Sequence, residues 1–176
     1  AKGAYGLGVA LVQEGRQLRQ KGIDAPILVL SEVPLAAVDQ ALGYHLIPAI
    51  SSLEKARAFN DRAAAMGCKA RCHLNIDTGM NRLGFDYSKA PEQSKEIASL
   101  PHLEVEGLFT HFACASDSGS DFTPLQLERF KQVLAPAKTM LNSIKFIHAA
   151  NSAACIENTA EEFNMVRVGL AMYGLN

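Results

Sequence analysis

No stretch of the sequence reaches the roughly 18 consecutive apolar residues of a membrane span. The opening residues carry no basic-then-apolar secretion signal, and the cytoplasm is the expected location. Neither sign of charge is in excess. Seventeen Lys and Arg against 18 Asp and Glu leave a formal net charge of −1, so bulk electrostatics recruit neither nucleic acid nor an anionic membrane. Cysteine is scarce and poorly spaced for a metal. Cys68 and Cys72 are close, but no second ligand pair of the zinc type accompanies them. With Cys114 and Cys155 they read as free, reduced thiols. There is no linker, low-complexity segment or repeat beyond the alternation described next.

The 176 residues, 48% hydrophobic and 20% charged, suffice for one domain with a real core. Short apolar runs fall at 25–31, 45–51, 69–77, 103–112, 144–151 and 165–174, with a possible further run at 6–12. Helical patterns lie between them. Ser52–Gly67 opens on a serine, carries Glu54 and closes on a glycine, as a capped helix does. Residues 88–100 and 122–141 read as helices too. Strands alternating with helices of this length imply βαβ units and a parallel sheet.

Polar residues gather where these strands end: Asp77–Arg82, Thr110–His111 and Asn151–Ser152. In a parallel α/β barrel all strand C-termini open onto one face, which carries the active site. Three such groups in succession predict an α/β fold of the TIM-type (β/α)8 class. A full barrel needs eight βα units and about 250 residues. Only six or seven strands are legible here, so residues 1–176 are expected to form an incomplete barrel domain.

Four segments carry chemistry. DTGMNRLG (77–84) places Arg82 after a strand end and a turn glycine; its planar fork of donors suits a carboxylate or phenolate oxygen, although a loop arginine is by composition more often a surface residue. THFA (110–113) places His111 after an almost wholly apolar strand, where ring stacking or a hydrogen bond competes with a plain rim position. HAANSAA (148–154) runs from a strand through Asn151 into small helix formers, with Ser152 at or near the N-cap. Free N–H groups there could take a phosphate, but ordinary caps are far commoner. VRVGLAMYG (166–174) sets Arg167 in an apolar strand, where it requires a carboxylate or ligand atom. Gly169 lets backbone approach a ligand. His45, His73 and His102 show no partner spacing and read as structural.

In this order and spacing, DTGMNRLG, THFA, HAANSAA and MVRVGLAMYGL resemble the alanine racemases, over essentially the whole chain. The resemblance implies a barrel holding pyridoxal 5'-phosphate, followed in the family by a β domain that completes the site across a homodimer. It implies that Arg82 holds the cofactor's phenolic oxygen and the substrate carboxylate, and that His111 lies near the cofactor ring. Ser152, Gly169 and Leu170 correspond to phosphate-binding positions. Arg167 corresponds to the arginine at the pyridine nitrogen, with His148 behind it and Asn151 beside them. The expected reaction is interconversion of L- and D-alanine, supplying a cell-wall (peptidoglycan) precursor.

Family members carry a lysine, three residues and then Tyr-Gly near their first strands. AKGAYGLG invites that match through Tyr5, but Lys2 is off by one and the alignment would delete a helix and a strand. Without a gap, Gly8-Val9-Ala10 is a later strand leading into a helix through Glu14, Leu18 and Arg19. The covalently bound lysine and the tyrosine base are then expected outside residues 1–176, and no residue of this chain is assigned as a catalytic base. Asn75 stands where many members have a carbamylated lysine bracing the arginine at position 82. A neutral amide brings no charge, so in the folded full-length protein a small anion, most simply chloride, is expected between Asn75 and Arg82, with water filling the gap as the alternative. Two other readings compete: a pyridoxal-phosphate homeostasis barrel without racemase activity, and an amino-acid decarboxylase on the same barrel.

Overall fold

The computed structural model describes residues 3–117 and 119–175. Its strands are β1 (Leu7–Val9), β2 (Ile27–Glu32), β3 (Ile47–Ile50), β4 (Ala70–Asp77), β5 (Phe85–Asp86), β6 (Leu103–Phe109) and β7 (Phe146–His148). The helices are α1 (Val12–Gln20), α2 (Val38–Gly43), α3 (Leu53–Ala65), α4 (Ala90–Ala98), α5 (Phe122–Met140) and α6 (Ser152–Ile156). All strand pairs are parallel, in the order β1-β2-β3-β4-β6-β7, with β5 attached to β4. The sheet curls through 214°, a half-barrel of the TIM type.

Local chemistry explains the elements. β4 and β6 are buried along nearly their whole length, as strands covered on both faces must be. Ser52 caps α3 by accepting the Lys55 N–H at 3.3 Å, and the helix stops just short of Gly67. The Glu14 carboxylate reaches back to the N–H groups of Ala10 and Leu11 at 2.8 and 2.9 Å, closing the start of α1. Phe59 from α3 and Phe130 from α5 are fully buried in one core with Ile50, Leu74, Ile76 and Leu108. Burial of such a side chain stabilises by about 1.5–3 kcal/mol.

The expected helix after Gly8-Val9-Ala10 is α1, and β1 pairs with β2 from Leu7 to Val9. Ala1 and Lys2, on which the rejected alignment turns, lie outside the described residues. The strand expected at 165–174 does not form. Met165 makes one isolated parallel bridge to His148, and residues 170–173 turn into a 3-10 helix. The reason lies at the outer edge of β7. There the Asn164 side chain accepts from Ile147 N at 2.9 Å and donates to Lys145 O at 2.7 Å, taking the groups a neighbouring strand would use. α2 and β5 were not legible in advance. α2 follows Pro34 through a short 3-10 turn, and β5 is only two residues long. All four cysteines are free.

Candidate active site

The three polar strand ends are tied into one rim. Thr78 and Thr110 share a 2.8 Å hydroxyl hydrogen bond between the ends of β4 and β6. The buried Gln126 of α5 donates to Thr78 Oγ1 and to His111 O, each at 3.1 Å, and accepts from Ala113 N at 2.9 Å. Arg129, one helical turn on, donates to Thr78 O at 2.9 Å. Asp77 Oδ1 accepts from Gly79 N and Asn81 N, closing the turn of DTGMNRLG. Gly79 adopts φ 138 there, a conformation that favours glycine.

Arg167 is the best-held cation of the rim. Its Nη1 donates to His148 Nδ1 at 2.7 Å, and its Nη2 reaches Thr110 O (2.8 Å), His111 Nδ1 and Ala149 O (both 3.2 Å). The guanidinium also lies 5.0 Å from the Phe109 ring centroid. Of the carboxylate or ligand atom expected from sequence, no carboxylate contacts it among the described residues. Carbonyls and imidazole nitrogens satisfy it instead. Burial draws Arg167 down to about 10, so it remains charged at neutral pH. Burial, then the charges of Arg167 and Arg82, pull His111 down to about 4. Burial and Arg167 push His148 well below the ordinary imidazole value. Both histidines are therefore neutral at neutral pH.

Across the rim, Asn151 caps α6: its side chain accepts from Ala154 N at 3.0 Å. Ser152, expected at or near the cap, is the first helical residue, and its hydroxyl accepts the N–H groups of Gly169 (3.0 Å) and Ala171 (3.2 Å). His111, Asn151, Ser152, Arg167, Gly169 and Leu170 all line one cleft of about 430 Å³. A Cβ built on Gly169 would meet nothing within 4 Å.

Arg82 is exposed and lines a smaller hollow of about 150 Å³ with Asn75, His111 and Arg167. Asn75 donates its amide to Leu83 O at 3.0 Å, anchoring the loop that bears Arg82. Tyr5 belongs to the other end of the strands. It precedes β1 and packs on Phe146 with ring centroids 5.1 Å apart, on the side away from Ser152.

Sequence reasoning gave no role to Gln126 or Glu106, placed Thr78 only within a polar strand end, and read His73 as structural. His73 Nδ1 lies 2.7 Å from His148 Nε2, a partner 75 residues away. One signal was available. Gly107, inside the apolar run at 103–112, marks a close approach, and a Cβ there would come within 2.5 Å of the His73 ring.

The fold and site define a parallel β/α half-barrel of the TIM type whose strand C-termini present a cleft lined by Arg167 and a smaller hollow lined by Arg167 and Arg82. The family model described as "Alanine racemase, N-terminal domain" matches residues 1–176, and the chain belongs to that family. The alanine racemase of Carboxydothermus hydrogenoformans is 41% identical over 174 residues, covering 99% of this chain and 47% of that protein. That of Symbiobacterium thermophilum is 42% identical over 173 residues, covering 98% and 46%. Among solved structures, alanine racemase from the D-cycloserine producer Streptomyces lavendulae superposes with a TM-score of 0.93 at 30% identity, covering 99% of this chain and 46% of that one. Alanine racemase of Clostridium difficile 630 in complex with cycloserine gives 0.90 at 34%, covering 97% and 47%. The chain spans about half the length of the curated relatives it matches.

Proposed function

We propose that residues 1–176 are the incomplete barrel domain of a pyridoxal-phosphate-dependent alanine racemase, a homodimer in the cytoplasm that interconverts L- and D-alanine for the cell wall. On this reading the lysine-bearing segment and the β domain lie elsewhere in the whole protein. The single observation that carries the reading is the setting of Arg167: a charged guanidinium held by neutral groups at the strand ends, with Nε free of protein partners among the described residues. The donor set fits pyridoxal phosphate. Ser152 Oγ accepts the Gly169 and Ala171 N–H groups and keeps its own proton to donate beside open space at Gly169, where a phosphate oxygen would fit. Arg167 would face the ring nitrogen, with His148 behind it, and His111 would lie near the ring.

When bound, pyridoxal phosphate supplies an electron sink for the carbanion formed at Cα. Arg167 keeps its own proton and would offer a ring nitrogen only a hydrogen bond, which would leave that nitrogen largely unprotonated and restrain transamination. Neutral His111 adds no charge beside the ring. Arg82 supplies fixed positive charge for a phenolic oxygen and the substrate carboxylate. Ser152, Gly169 and Leu170 would hold the phosphate, and Asn151 caps α6 beside them. The covalently bound lysine and the tyrosine base come from parts of the whole protein outside 1–176.

The test is a coupled assay of L- to D-alanine conversion by the full-length protein, alongside its Arg167→Glu variant. Racemisation by the parent is expected, with transamination rising relative to racemisation in the variant. Cofactor binding without racemisation would overturn the reading in favour of the homeostasis barrel. An unchanged partition ratio would remove Arg167 from the ring nitrogen.

A further inference from the structure

Behind Arg167 the polar contacts do not stop at His148. They continue through the barrel interior. His148 Nε2 meets His73 Nδ1 at 2.7 Å. His73 Nε2 faces Glu106 Oε1 at 3.6 Å. Glu106 accepts two hydrogen bonds from Arg71, at 2.9 and 3.0 Å. His148, His73 and Glu106 are all at most 2% exposed, whereas the Arg71 side chain is 46% exposed. The path therefore runs from the cleft at the strand C-termini, through β7, β4 and β6, towards solvent beyond Arg71.

Counting protons along this path leaves one consistent pattern. A guanidinium only donates, so His148 Nδ1 must accept and its proton sits on Nε2. That proton points at His73 Nδ1, which must also accept, so the His73 proton sits on Nε2 and points at Glu106. A cationic His73 would carry a proton on Nδ1 against the one on His148 Nε2. Every donor thus points the same way, from a fixed cation to a carboxylate, and such a chain is reinforced by its own polarisation.

The surroundings hold the rings in this line. His148 stacks on Phe109 with centroids 4.8 Å apart, and His73 on Phe146 at 5.8 Å. Gly107 leaves the room that the His73 ring occupies: an added Cβ would lie 2.5 Å from His73 Nδ1. Burial pushes the Glu106 carboxyl up, but the His73 and Arg71 contacts outweigh it and hold it below the ordinary carboxylate value.

We propose that His73 and Glu106 are positioning residues, which lock His148 as its Nε2–H tautomer so that Nδ1 remains a permanent acceptor for Arg167. Both act through His148 and do not touch the cleft. The tautomer lock stands on the geometry alone. Its consequence for cofactor binding rests on the racemase reading above.

The test uses the full-length protein labelled with [15N]histidine, with and without pyridoxal phosphate. Two-bond 1H–15N correlations should show His73 and His148 as neutral Nε2–H tautomers in the cofactor-free protein. Either ring as an Nδ1–H tautomer or a cation at neutral pH would overturn the lock. Glu106→Gln keeps an acceptor oxygen for His73 and should retain both tautomers. Gly107→Ala, which leaves every polar group in place but displaces the His73 ring, should give mixed tautomers at His148 and about tenfold weaker pyridoxal phosphate binding. Unchanged tautomers and affinity in a folded Gly107→Ala protein would overturn the positioning role. If that variant does not fold, the parent spectrum still decides. Locked tautomers in a parent that fails to bind pyridoxal phosphate would uphold the lock and sink the cofactor reading instead.

Discussion

Arg167 and Arg82 line the same small hollow, yet the chain treats them differently. Arg167 is held by two imidazoles and two carbonyls in fixed directions. Arg82 is exposed, and the contacts of its loop run through Asn75, Asp77 and Leu83 rather than through its own guanidinium. One half of the cleft is thus preorganised by the half-barrel itself. The other half is presented by a well-anchored loop but left for a ligand, or for further parts of the protein, to fix. Preorganisation costs nothing at the moment of binding, so the first half is suited to a resident cofactor and the second to a substrate that comes and goes.

The comparison breaks most completely in the isolated chain. Purified residues 1–176 with added pyridoxal phosphate should show no alanine racemisation above the cofactor-only background, because general acid–base catalysis needs both bases within reach of Cα. Turnover that Lys2→Ala abolishes would reinstate the rejected alignment and place a base within the chain. The isolated chain should also aggregate or unfold over a broad range. Its half-barrel is unclosed, which leaves β1 without a neighbour on one side among the described residues, and Leu170, Met172 and Tyr173 are 64%, 72% and 83% exposed. A sharp, reversible, monomeric transition by circular dichroism would count against the incomplete-barrel reading.

In the full-length protein, Arg82→Ala should lower kcat/KM about 100- to 1000-fold, the scale of one lost electrostatic anchor. Its stability should change by no more than about 0.5 kcal/mol, as for an exposed residue. A large loss of stability would mean that Arg82 is as built-in as Arg167. His148→Ala should do the reverse on the stability side. It empties a fully buried ring site and frees Arg167, costing about 3 kcal/mol in denaturant unfolding. A cost below about 1 kcal/mol, within the ordinary run of point substitutions, would show that Arg167 does not depend on His148.

The last effect is in pH. His111 and His148 titrate lower in the folded protein than in the unfolded chain. Below the ordinary imidazole value the unfolded state binds protons that the folded state refuses, so stability is full above about pH 6.5 and falls as pH drops towards about 4, the folded value of His111. Each histidine contributes a slope of up to about 1.4 kcal/mol per pH unit. Urea midpoints between pH 7 and 5 should decline, and His111→Gln should flatten the decline. A flat parent profile would contradict neutral, buried imidazoles at the cleft.

Much of this was legible in the sequence because it is local. The alternation of apolar runs and capped helices specified parallel βα units. The polar residues after β4, β6 and β7 marked the face that carries the site, and the four segments fixed the family. Period, capping and turn chemistry act over a few residues, so they survive in a one-dimensional reading. What acts across the sheet does not. Whether 165–174 pairs as a strand depended on Asn164 capturing the edge of β7. Which groups satisfy Arg167 depended on bringing Thr110, His111, His148 and Ala149 around it. The histidine at 73 seemed to lack a partner because its partner lies 75 residues away, and only the register of β4, β6 and β7 sets the two rings in contact over a glycine.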